Sequence, residues 1–349
     1  MSSNAPWNAY DFVVQMPHMA PGEKLSEVEF LKILAAYQWE SIARALGRRP
    51  PEIVNTQGER LYGSVIDVEL HLGPGHSMEV LGEDAHVRVR NRVRFYAKKF
   101  VEGLFVVDDQ DIPESRVAPI AMRKDLRSTH GSWACMTNAF IARAGGNVRL
   151  KVFRPAGADA EHVPELGETP LGIVEQGRVQ RTGEIESLDG EPVGALPLAD
   201  RHPERIRYRI VPESDLNGAG LVYFARYEAM MNYGERIFLA EHLERPMSAE
   251  LISYLSTEHR KAYFFANASP TDTVEIHVTG HVLPPDTFAT PPQAGPYRVP
   301  MKLLFRIDLY RGSDGALMAS SLVRQALSVP ASAKAALAET ERMMRALTR

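Results

Sequence analysis

The fold is decided by residues 25–47, which read LSEVEFLKILAAYQWESIARALG. Ser26 followed by Glu29 forms a capping box at the start of this stretch, and Gly47 with two prolines behind it closes the end. Between them, apolar residues recur every three or four positions, which is the period of a helix with one buried face. These residues are Val28, Leu31, Leu34, Ala35, Trp39, Ile42 and Leu46. The pattern predicts one long helix.

Five runs rich in β-branched and aromatic residues follow this helix, separated by clusters of Gly, Pro and Asp. Such composition with partial alternation is typical of strands. The runs cover residues 60–72, 86–100, 103–109, 134–144 and 147–153. The first half of the chain is therefore predicted to be a helix followed by several antiparallel strands.

The same plan returns roughly 200 residues later, although the residues themselves barely match. The second half is predicted to contain a strand over 206–212, a long helix over 221–243, strands over 262–268, 273–283, 299–311 and 317–329, and a last helix over 332–347. An antiparallel sheet wrapped around one long helix is the hot-dog plan. The repeat predicts an α+β protein with a double hot-dog fold, and two unrelated α+β domains are the alternative.

The domain boundaries follow from a change in composition in the middle of the chain. Residues 156–204 are dense in Pro, Gly and acidic residues and show weak periodicity, which is typical of a connector. We expect an N-terminal hot-dog domain over 1–155, a C-terminal hot-dog domain over 205–330 and a C-terminal helix over 331–349.

Composition excludes several classes of protein. The chain has 349 residues, 44% of them hydrophobic and 24% charged, and a net charge of −4. It is therefore predicted to be an ordinary globular protein with no nucleic-acid partner. A single cysteine, Cys135, excludes an intrachain disulfide and favours a reducing, cytoplasmic setting. The first residues lack the pattern of a signal peptide, and no stretch is long enough to span a bilayer, so no membrane association is expected.

Motifs of hydrolases and metalloenzymes are missing. No G-x-S-x-G or H-E-x-x-H occurs, and Cys135 lies in a run that is typical of a buried strand. Neither a metal nor a cofactor is expected.

Residues 213–227, ESDLNGAGLVYFARY, form the strongest local signal for a site. Turn formers lead directly into a predicted helix, where Gly218 and Gly220 would leave backbone N–H groups uncluttered. Such groups at a helix start can stabilise an enolate or a tetrahedral oxyanion. Asp215 is predicted as a catalytic residue or a cap, and Asn217 as an amide donor or a turn residue.

Two residues of the first half are further candidates. His18 lies in a Pro-flanked loop ahead of the first helix, where it either braces the loop or faces a substrate. Tyr62 lies early in the first strand, and an isolated tyrosine there is most often a packing residue.

Arginines alternate along the predicted strand HVRVRNRV at residues 86–93 and beyond. Because side chains alternate along a strand, these arginines share one face. They are Arg88, Arg90, Arg92 and Arg94. The face is interpreted as solvent-exposed, or as a basic strip that meets coenzyme A phosphates or an acidic carrier protein.

Four motifs, in order along nearly the whole chain, resemble the bifunctional acyltransferase/decarboxylase family of leinamycin-type polyketide biosynthesis. They are MPHMAPGEKLSE with the helix after it, GERLYG, DLNGAGLVYFARYEA and HRKAYFFANASPTDT. The resemblance implies a double hot-dog enzyme that takes a methylmalonyl group from coenzyme A, decarboxylates it and delivers propionyl to the phosphopantetheine of an acyl carrier protein. A malonyl group, which would leave acetyl, is the alternative substrate. The resemblance also implies that Tyr62, in the RLYG motif, is the critical tyrosine and the site proposed for a transient acyl ester.

Two other functions stay open. A hot-dog thioesterase or dehydratase is the first, although Ala219 stands where the D-x-x-G-H pattern of such thioesterases has histidine; Asp215 would then be the general base. A non-catalytic module that binds acyl carriers is the second. Because one chain with two hot dogs already supplies the usual pair, either a monomer or a homodimer is possible.

Overall fold

The computed structural model describes residues 5–73, 78, 81–108, 117, 120–127, 131–142, 151–188, 196–197, 205–242, 247–283 and 297–347. Within these residues the chain follows one plan twice, a long helix and then long antiparallel strands. The two copies share a sheet and a core.

Among the described residues, the strands of nine residues or more come after the long helices, four in each half. The strands are β1 (Asn8–Val13), β2 (Met19–Ala20), β3 (Lys24–Leu25), β4 (Leu61–His71), β5 (His86–Tyr96), β6 (Phe100–Asp108), β7 (Ser132–Ala142), β8 (Leu196–Pro197), β9 (Ile206–Arg209), β10 (Leu255–Phe264), β11 (Thr273–Leu283), β12 (Tyr297–Arg311) and β13 (Leu317–Pro330).

Two helices of 19 residues each dominate the helical part of the described chain. The helices are α1 (Glu27–Ala45), α2 (Arg123–Arg127), α3 (Leu171–Thr182), α4 (Pro212–Asp215), α5 (Phe224–His242), α6 (Ala249–Ser253) and α7 (Lys334–Leu347). At the start of α1 the Ser26 hydroxyl accepts the N–H of Glu29, so the predicted N-cap is confirmed. The reciprocal bond of the predicted capping box is not made, because the Ser26 N–H bonds the His18 carbonyl. The predicted long helices over 25–47 and 221–243 are α1 and α5.

One antiparallel sheet runs through both halves, in the order β1-β5-β6-β7-β4-β10-β13-β12-β11-β8, with β9 beside β11. Its centre is the pair β4–β10, the first long strand of each half, where His71 lies opposite His259 and Asp67 opposite Tyr263. A sheet of this kind wrapped around α1 and α5 is the double hot-dog fold, as the repeat in the sequence predicts.

The core is continuous between the two halves. Leu31 and Leu34 of α1 belong to the same buried cluster as Met231 and Phe238 of α5 and Phe305 of β12. Burying one such side chain contributes roughly 1.5–3 kcal/mol. The main core therefore spans both halves, and a second buried cluster around Ile42 and Phe95 belongs to the first half alone.

The outer face of β4–β10 carries charged side chains that are buried. Arg123 of α2 bonds Asp67 at 2.7 Å and Glu69 at 2.8 Å, and His259 lies 3.1 Å from Glu69. Burial opposes the charge on Glu69, but Arg123 and His259 outweigh it and hold the pKa of this carboxyl well below its usual range. Helix α3, from the predicted connector, covers this cluster, since its Glu175 accepts a bond from Tyr263 of β10 at 2.8 Å.

Strand β10 begins seven residues before the predicted run at 262. After Leu255, its first residues are polar, because their side chains contact buried polar and charged groups on both faces of the sheet. The predicted pattern instead requires one apolar face. The predicted strand 147–153 lies mostly outside the described residues; Val152 forms a single bridge with Ile141.

Gly172 is where α3 comes closest to β4. A Cβ at this position would lie 1.7 Å from Oδ1 of the buried Asp67. We expect Gly172→Ala to lower the free energy of unfolding by about 2 kcal/mol or more, because the helix must move off the charge cluster. Urea unfolding measures it.

Gly177 of the same helix is the matched control. A Cβ there meets only the flexible end of Arg181, at 3.4 Å. Gly177→Ala should raise stability by up to about 1 kcal/mol through helix propensity. Equal effects of the two substitutions would contradict the close approach.

Candidate active site

The structure brings Tyr62 next to the loop that precedes α5. Tyr62 packs against a small buried cluster formed by Ile141, Ala219 and Leu221. Ile141 is its partner across β4–β7, whereas the other two residues come from the second hot-dog unit. The two motifs that the sequence singles out therefore meet at the junction of the units.

A cavity of about 100 Å³ lies at this junction. We call it the Asn217 cavity. It is lined by Gly63, Ser64 and Val65 at the start of β4, by Asn217 and residues 221–224 at the entrance of α5, and by Tyr227, Phe264, Phe265, Ala266 and Asn267. The lining is mostly apolar, with a few hydroxyl and amide groups and no charged side chain among the described residues.

Asn217 has a defined orientation. Its Oδ1 accepts the N–H of Ala219 at 2.9 Å and of Leu221 at 3.2 Å. Because two backbone donors meet this atom, it must be the oxygen, and Nδ2 is the group left to donate. Asn217 thus both shapes the turn and offers an amide donor at the cavity.

The backbone N–H groups of residues 219–223 are engaged within the protein. Helix α5 begins at Phe224, beyond the two glycines. The N–H groups of residues 219 and 221 bond Asn217 Oδ1, that of 220 bonds the Asn217 carbonyl, that of 222 bonds Asn267 Oδ1, and that of 223 bonds the Asp215 carbonyl. The expectation of free oxyanion donors is therefore corrected for Gly220, and the side-chain amide of Asn217 is a further donor at the cavity.

Gly218 and Gly220 have different reasons to be glycine. Gly220 has φ +74°, in the left-handed region. Gly218 has no such φ, and a Cβ built on it would meet open space. Only Gly220 is required by the backbone, while the space beside Gly218 is free for a ligand.

Asp215 braces the loop. It is fully buried, and its carboxylate accepts bonds from Tyr208 Oη at 3.0 Å, Val211 N at 2.8 Å, Ser214 Oγ at 3.0 Å and Arg226 Nε at 3.0 Å. Burial raises its pKa, but the bonds from Val211 and Arg226 outweigh burial and lower it. Asp215 does not line the cavity, which corrects the expectation that it is a catalytic residue.

His18 lies away from Tyr62. Its Nδ1 accepts the N–H of Gln15 at 3.1 Å, and its carbonyl accepts the N–H of Ser26 at 2.8 Å. It lines neither this cavity nor the larger one near α1, so it is not brought together with the other predicted residues.

No sequence pattern singles out three polar residues that line the cavity. They are Ser64, Tyr223 and Asn267. Burial raises the pKa of Tyr223 to about 12, so its phenol stays a proton donor. Asn267 lies in the motif HRKAYFFANASPTDT, which in isolation is interpreted as a strand. Its position after a long strand of aromatic residues was the available signal.

The arginines of β5 are not a free strip. Arg88 bonds Asp11 at 2.7 Å and Arg94 bonds Glu102 at 3.3 Å. Arg92 is buried, donates to the Ile120 carbonyl at 2.8 Å and stacks on Trp7. Arg90 also lies 3.9 Å from Asp108, so three of the four arginines are paired with carboxylates and the fourth is buried, which leaves a phosphate little exposed, uncompensated charge.

Cys135 is fully buried in β7, and burial raises its pKa well above the usual range, so it is no thiolate nucleophile. Among the residues described here, no three His, Cys, Asp or Glu side chains are grouped to hold a metal ion. No helix within the described ranges has the length and apolarity to cross a membrane.

The chain is similar in structure to known thioesterases. It matches a protein assigned as an oleoyl thioesterase from Lactobacillus plantarum with a TM-score of 0.54 and 12% identity, covering 93% of this chain and 97% of that chain. An acyl-ACP thioesterase from Bacteroides thetaiotaomicron gives a TM-score of 0.48 at 12% identity, covering 91% and 97%, and a 12:0-ACP thioesterase from Umbellularia californica gives 0.48 at 9%, covering 93% and 97%. No family model and no curated protein matches the sequence. The likeness to the Lactobacillus plantarum protein establishes the double hot-dog fold over 93% of the chain.

The two glycines of the loop allow a test of its geometry. We expect Gly220→Ala to lower the free energy of unfolding by roughly 1–2 kcal/mol, because an L-residue is strained at this φ. Gly218→Ala should stay within about 0.5 kcal/mol of the parent. Urea unfolding of both variants checks this, and a Gly218→Ala variant as unstable as Gly220→Ala would contradict the loop conformation.

Proposed function

We propose that the protein is an acyl-thioester enzyme that decarboxylates a malonyl or methylmalonyl thioester and transfers the remaining acyl group to an acyl carrier protein. The reaction takes place in the Asn217 cavity. The observation that carries the proposal is the junction of Tyr62 with the Asn217 loop, beside a cavity whose described lining offers neutral donors and no carboxylate.

Decarboxylation suits a site without a base. The bond between the α-carbon and the carboxylate breaks, CO₂ leaves, and the electron pair moves into an enolate of the thioester. No proton has to be removed, so the site needs donors at the thioester oxygen. Asn217 Nδ2 and the protonated phenol of Tyr223 supply them in this proposal, and a proton from solvent then completes the acyl group.

The absence of carboxylates from the lining supports the same step. A carboxylate beside the substrate's own carboxylate would repel it at close range. The aromatic wall of Phe224, Tyr227 and Phe264 favours loss of charge as CO₂ departs. The absence of a repelling carboxylate lets the substrate bind, and the aromatic wall favours the transition state over the bound substrate.

The size of the cavity restricts the acyl group. Pockets for drug-sized ligands measure about 300–1,000 Å³. A cavity of about 100 Å³ suits an acyl unit of a few carbon atoms, such as propionyl, rather than a long fatty chain.

Tyr62 is the residue proposed to carry or position the acyl group. It is partly exposed, next to Leu221 of the cavity, and the Arg60 guanidinium lies 5.5 Å from the centre of its ring. In the transfer, the acyl–sulfur bond to coenzyme A breaks and a new bond to the carrier's phosphopantetheine thiol forms, directly or through the Tyr62 oxygen, with coenzyme A leaving as the thiol.

Thioester hydrolysis is the second candidate function. It requires a base that takes a proton from water. Asp215 is committed to four hydrogen bonds and faces away from the Asn217 cavity. The observation that favours hydrolysis is a buried carboxyl group, Glu235, in the larger cavity near α1.

The proposal is tested with the purified protein, methylmalonyl-CoA and a carrier bearing free phosphopantetheine, followed by mass spectrometry of the carrier. We expect a carrier that gains propionyl. Tyr62→Phe should lower the initial rate at least 100-fold, because the phenol oxygen is lost.

Tyr96→Phe is the matched control, since this tyrosine bonds the Thr169 hydroxyl on the exposed surface. It should keep the parental rate. A carrier that gains nothing with the parent protein, or a Tyr62→Phe variant of full activity, would remove the proposed reaction or the role of Tyr62, respectively.

A further inference from the structure

A second cavity, of about 310 Å³, lies at the other end of the β4–β10 pair. We call it the Glu235 cavity. Residues at the entrance of α1, the start of β10 and the middle of α5 line it. Its polar lining includes Lys24, Glu27, Thr257, Glu235 and Gln325.

The two cavities occupy equivalent places in the duplicated fold. The Asn217 cavity lies where the entrance of α5 meets the start of β4, and the Glu235 cavity where the entrance of α1 meets the start of β10. Because β4 and β10 are antiparallel, these places fall at opposite ends of the pair. The fold thus offers two corresponding sites with different linings.

A buried charge network forms the floor of the Glu235 cavity. Arg260 bonds Glu27 at 2.6 Å, Asn232 at 2.7 Å and Glu228 at 3.1 Å, whereas Glu235 Oε1 lies 3.7 Å from it. Three carboxyl groups therefore surround one guanidinium. Full ionisation of all three would leave a buried negative excess.

Glu27 and Glu235 are the two carboxyl groups of this network that line the cavity, and both oxygens of Glu27 accept hydrogen bonds from Arg260 or Thr257. Glu235 is 1% exposed, and Gln325 donates to its Oε2. No described group is hydrogen-bonded to its Oε1. A buried carboxyl oxygen without a donor is costly unless a water or a ligand meets it.

The charges that face Glu235 come from every element around it. Glu27 of α1 and Glu228 of α5 disfavour its ionisation, and Arg260 of β10 and Arg236 of α5 favour it. Lys24 also lines the cavity, but its ammonium is bonded to the carbonyls of Ser253 and Leu255. Burial is the largest effect, and it raises the pKa of Glu235 to about 8.

The equivalent position in the first unit is neutral. Gln38 and Glu235 each lie eleven residues after the first residue of their helices. Gln38 donates to Asn138 of β7, and Gln325 of the corresponding strand β13 donates to Glu235. The fold accommodates an amide at this point of the helix, so packing alone does not require the carboxyl group.

We propose that the Glu235 cavity is a second catalytic site, in which Glu235 acts as general base and then general acid in the hydrolysis of a short-chain acyl thioester. The choice of a thioester rests on the proposed function, through the equivalence of the two cavities. The cavity size, its apolar walls and the exposed Arg236 at its rim fit an acyl group joined to an anionic carrier such as coenzyme A.

In this hydrolysis, the Glu235 carboxylate takes a proton from water as the water oxygen bonds the thioester carbon. The carbon–sulfur bond then breaks, and the protonated Glu235 returns the proton to the thiolate. The products are a carboxylic acid and a thiol, and the enzyme is unchanged. Thr257, whose hydroxyl lies 2.8 Å from Glu27, is positioned at the same wall.

The test uses acetyl-, propionyl- and butyryl-CoA without a carrier, and measures thiol release. These substrates carry no carboxylate to lose, so thiol release reports hydrolysis and cannot arise from the decarboxylation proposed above. Glu235→Gln should lower kcat by about 10²–10⁴-fold, as expected for loss of a general base. Glu241→Gln is the matched control, because Glu241 is an exposed carboxyl on the same helix that lines neither cavity, and its rate should stay within about threefold.

The pH profile of the hydrolysis rate distinguishes a general base at Glu235 from a residue that only stabilises the fold. Between about pH 6 and 9 the parent's rate should rise as Glu235 ionises, with a midpoint near the pKa of about 8, and the rise should vanish in Glu235→Gln. Circular dichroism confirms that the variants fold. The proposal is overturned if the parent releases no thiol above the buffer rate with any of the three substrates, or if Glu235→Gln keeps the parental rate and profile. The Asn217 cavity is tested separately, by the gain of propionyl on the carrier from methylmalonyl-CoA with the parent and with Tyr62→Phe.

Discussion

The antiparallel pairing of β4 with β10 is the constraint on which the rest of the structure depends. It joins two hot-dog units into one sheet and lets α1 and α5 share one core. Its two faces bury charge rather than apolar surface alone: Asp67, Glu69 and His259 outside, Arg260 inside. Breaking one partner of such a network leaves an uncompensated buried charge, which costs about 3–5 kcal/mol. The register of the pair is therefore strongly specified.

The same pairing produces two cavities with different polar linings. At one end, Asn217 and Tyr223 offer neutral donors inside aromatic walls. At the other end, Glu235 lies above a network that already holds Glu27 and Arg260. A lining of neutral donors suits loss of a carboxylate from a ligand, and a lining with a buried carboxyl group suits proton transfer to and from water. Duplication thus provides two corresponding cavities, and the residues at equivalent positions distinguish them.

Much of the fold was predictable, because local period reports local structure. The spacing of Leu31 and Leu34 and the cap at Ser26 are features of a helix before any tertiary contact is known. The start of β10 was missed because its polar residues satisfy each other in a buried network, which an apolar period cannot reveal. The sequence singled out the motifs of Tyr62 and Asn217 and left Asp215 as a catalytic residue or a cap, whereas the contact of Tyr62 with Leu221 and the choice for Asp215 came from the tertiary structure.

The sequence by itself determined the two helices, most of the strands and the repeat that makes a double hot dog, since these depend on side chains close together in the chain. Only the tertiary structure decided what the site residues do. The donors left at Asn217, the commitment of Asp215 to Arg226 and the raised pKa of Glu235 all depend on burial and on partners far away in sequence. Desolvation and long-range hydrogen bonds are properties of the packed chain, so no local pattern records them.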